Sequence, residues 1–139
     1  MTTKTVKTKV INPRAWTTNH EMIYDVVPFV DDYNGELLCA KNIKWVDMLE
    51  MEAEGIYTPV NVMTCTGFED KDGKLIFEKD IINFGYGLVG IVQFVFGKWV
   101  VEPVGIDDYY DELYRMAEHT KVLGNLYENP ELLEEQNVN

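Results

Sequence analysis

Apolar and polar positions alternate in short runs from residue 60 onward, and turn residues separate the runs. Val60 to Thr66 (VNVMTCT) reads as a strand that leads into TGFEDKDGKLIFEKD, Thr66 to Asp80. There Asp70, Lys71, Asp72 and Gly73 form a polar loop. Asp72-Gly73 is a strong hairpin signal, because glycine takes a positive φ without a steric penalty and the aspartate tolerates it. Leu75-Ile76-Phe77 follows as an apolar segment. Glu78, Lys79 and Asp80 then form a second polar turn, and Ile81 to Phe84 opens another strand. Leu88 to Phe96 and Trp99 to Glu102 flank Gly97-Lys98, which predicts a hairpin with that pair as its turn. Asp107 or Asp108 is expected to cap a helix over Tyr109 to His119, where Leu113, Met116 and Ala117 share a face. Lys121 to Tyr127 reads as a last strand. Asn129 then caps a helical turn with Pro130 at its first position and Leu132-Leu133 packed inward.

The N-terminal half is less regular. Residues 1–10 alternate Thr with Lys and Val and read as a disordered arm or as an edge strand with exposed lysines. Pro13 makes INPRAW at most a strand end. Met22 to Val30 is β-branched and aromatic and reads as a strand that ends or bulges near Pro28. A turn over Asp31–Gly35 precedes a short strand, Glu36 to Ala40. In Asn42 to Gly55, Ile43, Val46 and Leu49 recur at helical spacing among good helix formers, with Gly55 just past the end. The alternative there is a strand carrying Ile43, Trp45 and Asp47. The pattern predicts an α+β, mainly β fold. Residues 1–10 form a basic arm or edge strand and 11–60 a smaller β-rich subdomain. Residues 61–133 form a small, SH3-like, partly open barrel with one inserted helix, and 134–139 a frayed tail.

Four segments carry a family resemblance. They are Arg14-Ala15-Trp16 with Met22-Ile23-Tyr24, TGFEDKDGKLIFEKDII (Thr66 to Ile82), GIVQF (Gly90 to Phe94) and VLGNLYENPELL (Val122 to Leu133). The chain resembles the YopX family of bacteriophage and prophage proteins over most of its length. The family commonly has glycine where Lys79 stands, and often begins a few residues before Arg14, so the longer basic N-terminus is a departure. The resemblance implies a β-rich, two-part fold and a phage gene expressed in the host bacterial cytoplasm. The family has no established biochemical activity, so the resemblance carries over no catalytic residue.

Charge adds a constraint. The 139 residues carry a net charge of −12, unevenly spread. Residues 1–14 hold Lys4, Lys7, Lys9 and Arg14 and no acid, whereas residues 15–60 and 107–139 each hold nine acids against two bases. An acidic body repels phosphate at long range, which leaves the basic arm as the only nucleic-acid contact to consider. An acidic nucleic-acid mimic is a variant of the same reading. The apolar content of 46% suffices for a packed core. No apolar run is long enough to span a membrane, no secretory signal is expected at the start, and Cys39 and Cys65 read as reduced thiols.

Candidate chemistry is sparse. Cys39, Cys65, His20 and His119 share no motif for a nucleophile or for zinc. Glu69, Asp70 and Asp72 lack the ligand spacing of a calcium loop and read as turn chemistry. Asp107, Asp108, Asp111 and Glu112 read as helix-start acids rather than a metal or acid–base site. Most aromatics are expected in the core, with Tyr109 and Tyr110 as candidates for a protein interface. No cofactor is expected. The leading expectation is a non-enzymatic accessory protein that forms a homo-oligomer and binds a host or phage protein. The alternatives are nucleic-acid binding through Lys4, Lys7, Lys9 and Arg14, or a small-molecule enzyme.

Overall fold

The computed structural model describes residues 11–45, 47, 50–85 and 87–134, so the arm expected at 1–10 lies outside it, as does the tail expected at 134–139 apart from Glu134, which ends a helical turn. Its strands are β1 (Arg14–Thr17), β2 (Met22–Ile23), β3 (Val26–Val30), β4 (Leu37–Lys41), β5 (Lys44–Trp45), β6 (Met51–Glu52), β7 (Gly55–Tyr57), β8 (Pro59–Met63), β9 (Cys65–Glu69), β10 (Leu75–Phe77), β11 (Asp80–Gly85), β12 (Leu88–Val95), β13 (Lys98–Pro103), β14 (Asp111–Glu112) and β15 (Val122–Asn125). Two single helical turns, α1 (Leu113–Met116) and α2 (Glu131–Glu134), and a 3-10 turn over Ala117–His119 complete it. The chain is mainly β, as the alternation predicts.

The largest sheet has five strands in the order β14-β13-β12-β11-β15, and every pairing given for it is antiparallel. One core cluster lies against it, built from Ile76, Ile82, Val92, Val101, Leu113, Ala117 and Val122. A second cluster of Ala15, Ile23, Val26 and Cys39 joins the sheets β2-β1-β8 and β3-β4-β7. The described sheets stay open and do not close into a barrel. Among the described strands the β9-β10 hairpin pairs only with itself, and β14 and β15 end the large sheet as edges.

Three local expectations change. The helix expected over Asn42–Gly55 is replaced by the β5-β6 hairpin, with Lys44 opposite Glu52 and Trp45 opposite Met51, and by β7 beginning at Gly55. The strand alternative fits the start of that segment. Helical spacing in so short a stretch did not outweigh pairing with β4, in which Ala40 faces Ile56. The helix expected from Tyr109 shrinks to α1, because Asp111 and Glu112 pair with Val101 and Val100 and extend the sheet. Asp108 takes a left-handed φ of 55° and caps nothing; Glu112 is the residue before the helix. The hairpin expected around Gly97-Lys98 exists, but its turn is Phe96-Gly97, with φ of 53° and 81° and Val95 paired to Lys98. Two positive φ values mark the mirror-image turn that matches strand twist.

The second polar turn is also left-handed. Lys79 has φ 69°, its N–H donates to the Val92 carbonyl at 2.8 Å, and its carbonyl accepts from Leu126 N–H at 2.9 Å. Two backbone bonds therefore fix a conformation that disfavours a side chain, which explains why glycine suits this position. We expect Lys79→Gly to raise stability by about 0.5–1 kcal/mol in a denaturant melt. A loss of stability would show that the lysine side chain matters more than the backbone strain.

Candidate functional site

Arg14 sits in β1 at 3% exposure, and Asp80 opens β11 at 2%. The guanidinium donates to Asp80 Oδ1 at 2.8 Å and to the Glu78 carbonyl at 3.0 Å. Asp80 Oδ2 accepts from Phe77 N–H at 2.8 Å. The guanidinium carbon lies 4.8 Å from the Phe77 ring centre and 5.9 Å from that of Tyr24. Burial pushes the Asp80 carboxyl above its ordinary range, and the Arg14 charge and the Phe77 N–H offset this only in part. Desolvation of this kind means that the ion pair fixes geometry more than it adds stability. Arg14 is thus committed inside the protein and is not available to phosphate. The other residues of that expectation, Lys4, Lys7 and Lys9, lie outside the described residues.

Asp70 is a second buried carboxylate, at 6% exposure. Its Oδ1 accepts from Asp72 N–H and Lys74 N–H, closing the hairpin turn, and its Oδ2 accepts from Val122 N–H, each at 2.9 Å. Desolvation raises its carboxyl, but those three N–H groups and the Lys74 charge outweigh it, so the net shift is downward. The acid in the Asp-Gly turn therefore also anchors β15.

The remaining candidates do not converge. Burial pushes the Cys39 thiol up, and Cys65 is half-buried with its Sγ 3.8 Å from the Ile76 carbonyl. The His20 ring lies tilted beside Trp16, with ring centres 6.2 Å apart. Among the described residues no group of three or more His, Cys, Asp or Glu is placed to hold a metal. Asp111 accepts from Glu112 N–H, and Glu112 pairs with Lys98 at 2.8 Å and Arg115 at 3.3 Å. Tyr109 and Tyr110 are about half exposed in the loop before β14.

The residues that stand out are ones the sequence reading did not single out. In β3-β4-β7, Val27 faces Ala40, Phe29 faces Leu38 and Ala40 faces Ile56. These side chains share one face of the sheet, because strand neighbours of even spacing do. Val26, Cys39 and Tyr57 occupy the other face, which packs on the core. The open face holds an apolar groove of about 320 Å³ lined by Val27, Phe29, Ala40, Ile43 and Ile56, with Glu52 at its rim. Ile56 is 62% exposed. A weak alternation in β3 and β4, apolar at both parities, was the available signal.

The family model of the YopX protein matches residues 12–134. The chain belongs to the YopX family. Among solved structures it is similar to protein EF1440 from Enterococcus faecalis, at 26% identity and a TM-score of 0.66, with 91% of this chain and 99% of that one covered. It is also similar to YopX from Bacillus subtilis, at 20% identity and a TM-score of 0.48, over 86% of this chain and 95% of that one. No curated protein matches. No described helix is long and apolar enough to cross a membrane.

The segments that carry the YopX likeness meet in space. Arg14 reaches Asp80. Trp16 stacks on Tyr127 at 5.7 Å and 21°, and Asn61 Nδ2 donates to the Tyr127 hydroxyl at 2.7 Å. Asn125 Oδ1 accepts from Tyr127 N–H and Glu128 N–H, while a Cβ at Gly124 would collide with Asn129. This YopX signature describes a structural joint, and none of its contacts is a reactive arrangement.

Two outcomes follow for the joint. Arg14→Met should cost about 3–5 kcal/mol by leaving Asp80 buried and unpaired, and adding Asp80→Leu should recover most of that loss. Urea melts of both single variants and the double variant measure the coupling; strict additivity would mean that the pair is not a unit. Asp70→Asn should cost about 1–3 kcal/mol, because an amide N–H₂ then faces Val122 N–H. Since folding lowers the Asp70 carboxyl, its stabilisation is complete above the ordinary aspartate range and is lost as pH falls through the lower folded value. Melts across acid pH should therefore fall less steeply for Asp70→Asn than for the wild type.

Proposed function

We propose that this YopX-family chain is a non-enzymatic interaction protein that self-associates through the open face of β3-β4-β7. The observation that carries the reading is the apolar groove there, beside the 62%-exposed Ile56, on a sheet whose other face is already buried. Apolar surface gathered on one sheet face favours covering by a partner. Pro28 lies on β3, which among the described strands has β4 alone as its neighbour. Its missing N–H weakens edge-to-edge pairing, so contact by the sheet face is favoured. A second copy presents the same face and can form a symmetric pair. The exposed Tyr109 and Tyr110 are a second surface, suited to a host or phage protein. A phage gene expressed in the bacterial cytoplasm fits the family likeness and two cysteines that form no disulfide.

Each copy carries a charge of −12, so like-charge repulsion opposes association and salt screens it. Light scattering across a concentration series should show an oligomer that strengthens as salt rises toward about 0.15 M. Ile56→Glu should give a monomer of unchanged fold. A wild-type chain that stays monomeric at every concentration and salt level removes the proposal.

A further inference from the structure

A different surface carries a second assignment. Two adjacent depressions share the walls Phe68 and Tyr114. The first, about 250 Å³, is walled mainly by Phe68, Phe94, Trp99 and Tyr114. Phe94 and Trp99 meet edge to face at 5.0 Å, and Trp99 and Phe68 rest on the core. The second, about 500 Å³, is polar and includes Glu69, Glu118 and Lys71. Among the described residues neither Glu69 nor Glu118 takes part in an ion pair. The Asp70 carboxylate in the same wall is occupied by backbone N–H groups. At the aromatic end Lys98 and Arg115 share the one carboxylate of Glu112, whereas at the other end Glu69, Asp70 and Glu118 outnumber Lys71. The strip is thus aromatic at one end and acidic at the other.

The turn beside it adds an independent observation. Phe96 is 92% exposed and holds φ 53°, followed by Gly97 at φ 81°. Turns of this mirror-image type favour Asn-Gly, and a bulky side chain in the left-handed region is strained. Packing does not offset that strain at such exposure. Folding therefore does not account for a phenylalanine here, in the turn whose Gly97 and Lys98 line the aromatic depression.

We propose that this strip binds an extended, proline-bearing peptide with a basic residue at one end. Proline and aliphatic side chains lie on Phe94, Trp99 and Tyr114, and a lysine or arginine reaches between Glu69 and Glu118. A polyproline segment suits an aromatic wall with few polar groups, because it is already extended and needs no backbone ladder. The charge of −12 draws a cationic peptide toward the protein. The strip is separate from the β3-β4-β7 face, so the two proposals fail independently.

Calorimetric titration tests it with short acetylated peptides of proline and leucine that carry an arginine at one end or at the other. Matched peptides have glutamate in place of the arginine. One arginine peptide should bind the full-length protein, and its glutamate counterpart should not. Glu118→Lys should weaken the arginine peptide roughly tenfold and admit the glutamate peptide. Phe96→Asn should raise the melting temperature and yet weaken binding, a combination that damage to the fold does not produce. Neither variant should change the oligomeric state. The proposal is overturned if neither arginine peptide binds, if both charge forms bind alike, or if Phe96→Asn leaves the affinity unchanged.

Discussion

A buried ion pair sets how the N-terminal strand meets the middle of this chain. Arg14 and Asp80 are 66 residues apart in sequence and 2.8 Å apart in space, both almost fully buried. A charge removed from water tolerates few arrangements, since only a close, hydrogen-bonded partner offsets its desolvation. Asp80 is held by Phe77 N–H, and Arg14 by the Glu78 carbonyl and two aromatic rings. The β10-β11 corner is therefore shaped to receive β1. Apolar contacts alone would permit many small slides between two sheets, and this geometry permits almost none.

The neighbouring turns serve the same joint. Lys79 follows the Glu78 that binds Arg14, and its backbone ties β12 to the segment after β15. Asp70 closes one hairpin and holds Val122 at the start of β15. Asn125 and Gly124 then shape the loop that brings Tyr127 under Trp16. Each of these residues satisfies buried backbone groups that would otherwise be unpaired. The YopX signature therefore records the hydrogen-bond closure of a small β protein. Within it the Arg14 Nε is buried without a hydrogen-bond partner, while the other guanidinium contacts and the Asp80 carboxylate are paired.

The hairpins were legible because their turns have a local mechanism. Asp72-Gly73 supplies a positive φ between two apolar runs, and no distant contact is needed to read it. The final helical turn after Asn129 and Pro130 stands as α2, but the helix expected over Asn42–Gly55 and the start of that expected at Tyr109 gave way to sheet pairing. Glu112 is a good helix former and a suitable early-turn acid, yet it pairs opposite Val100 in the sheet. The role of Arg14 was hidden for a different reason. It follows a basic stretch, and only its position between Pro13 and the apolar Ala15-Trp16 hinted that it turned inward. The open sheet face was equally hidden, since apolar residues at both parities of β3 also describe a strand buried on both sides.

The aromatics were expected in the core, and most of those placed lie elsewhere. The buried clusters consist mainly of Ile, Val, Leu and Ala, which fill space between thin sheets without large voids. Tyr24, Phe77, Trp16 and Tyr127 gather at the joint between the ends of the chain. Phe94, Phe96, Tyr109, Tyr110 and Tyr114 face solvent. A small β body closed by aliphatic packing and one ion pair does not need those rings to fold. Water penalises large exposed rings, and at Phe96 the backbone is strained as well. At 92% exposure Phe96 gains little from the fold to offset either penalty, which sets it apart from the rings that close the joint.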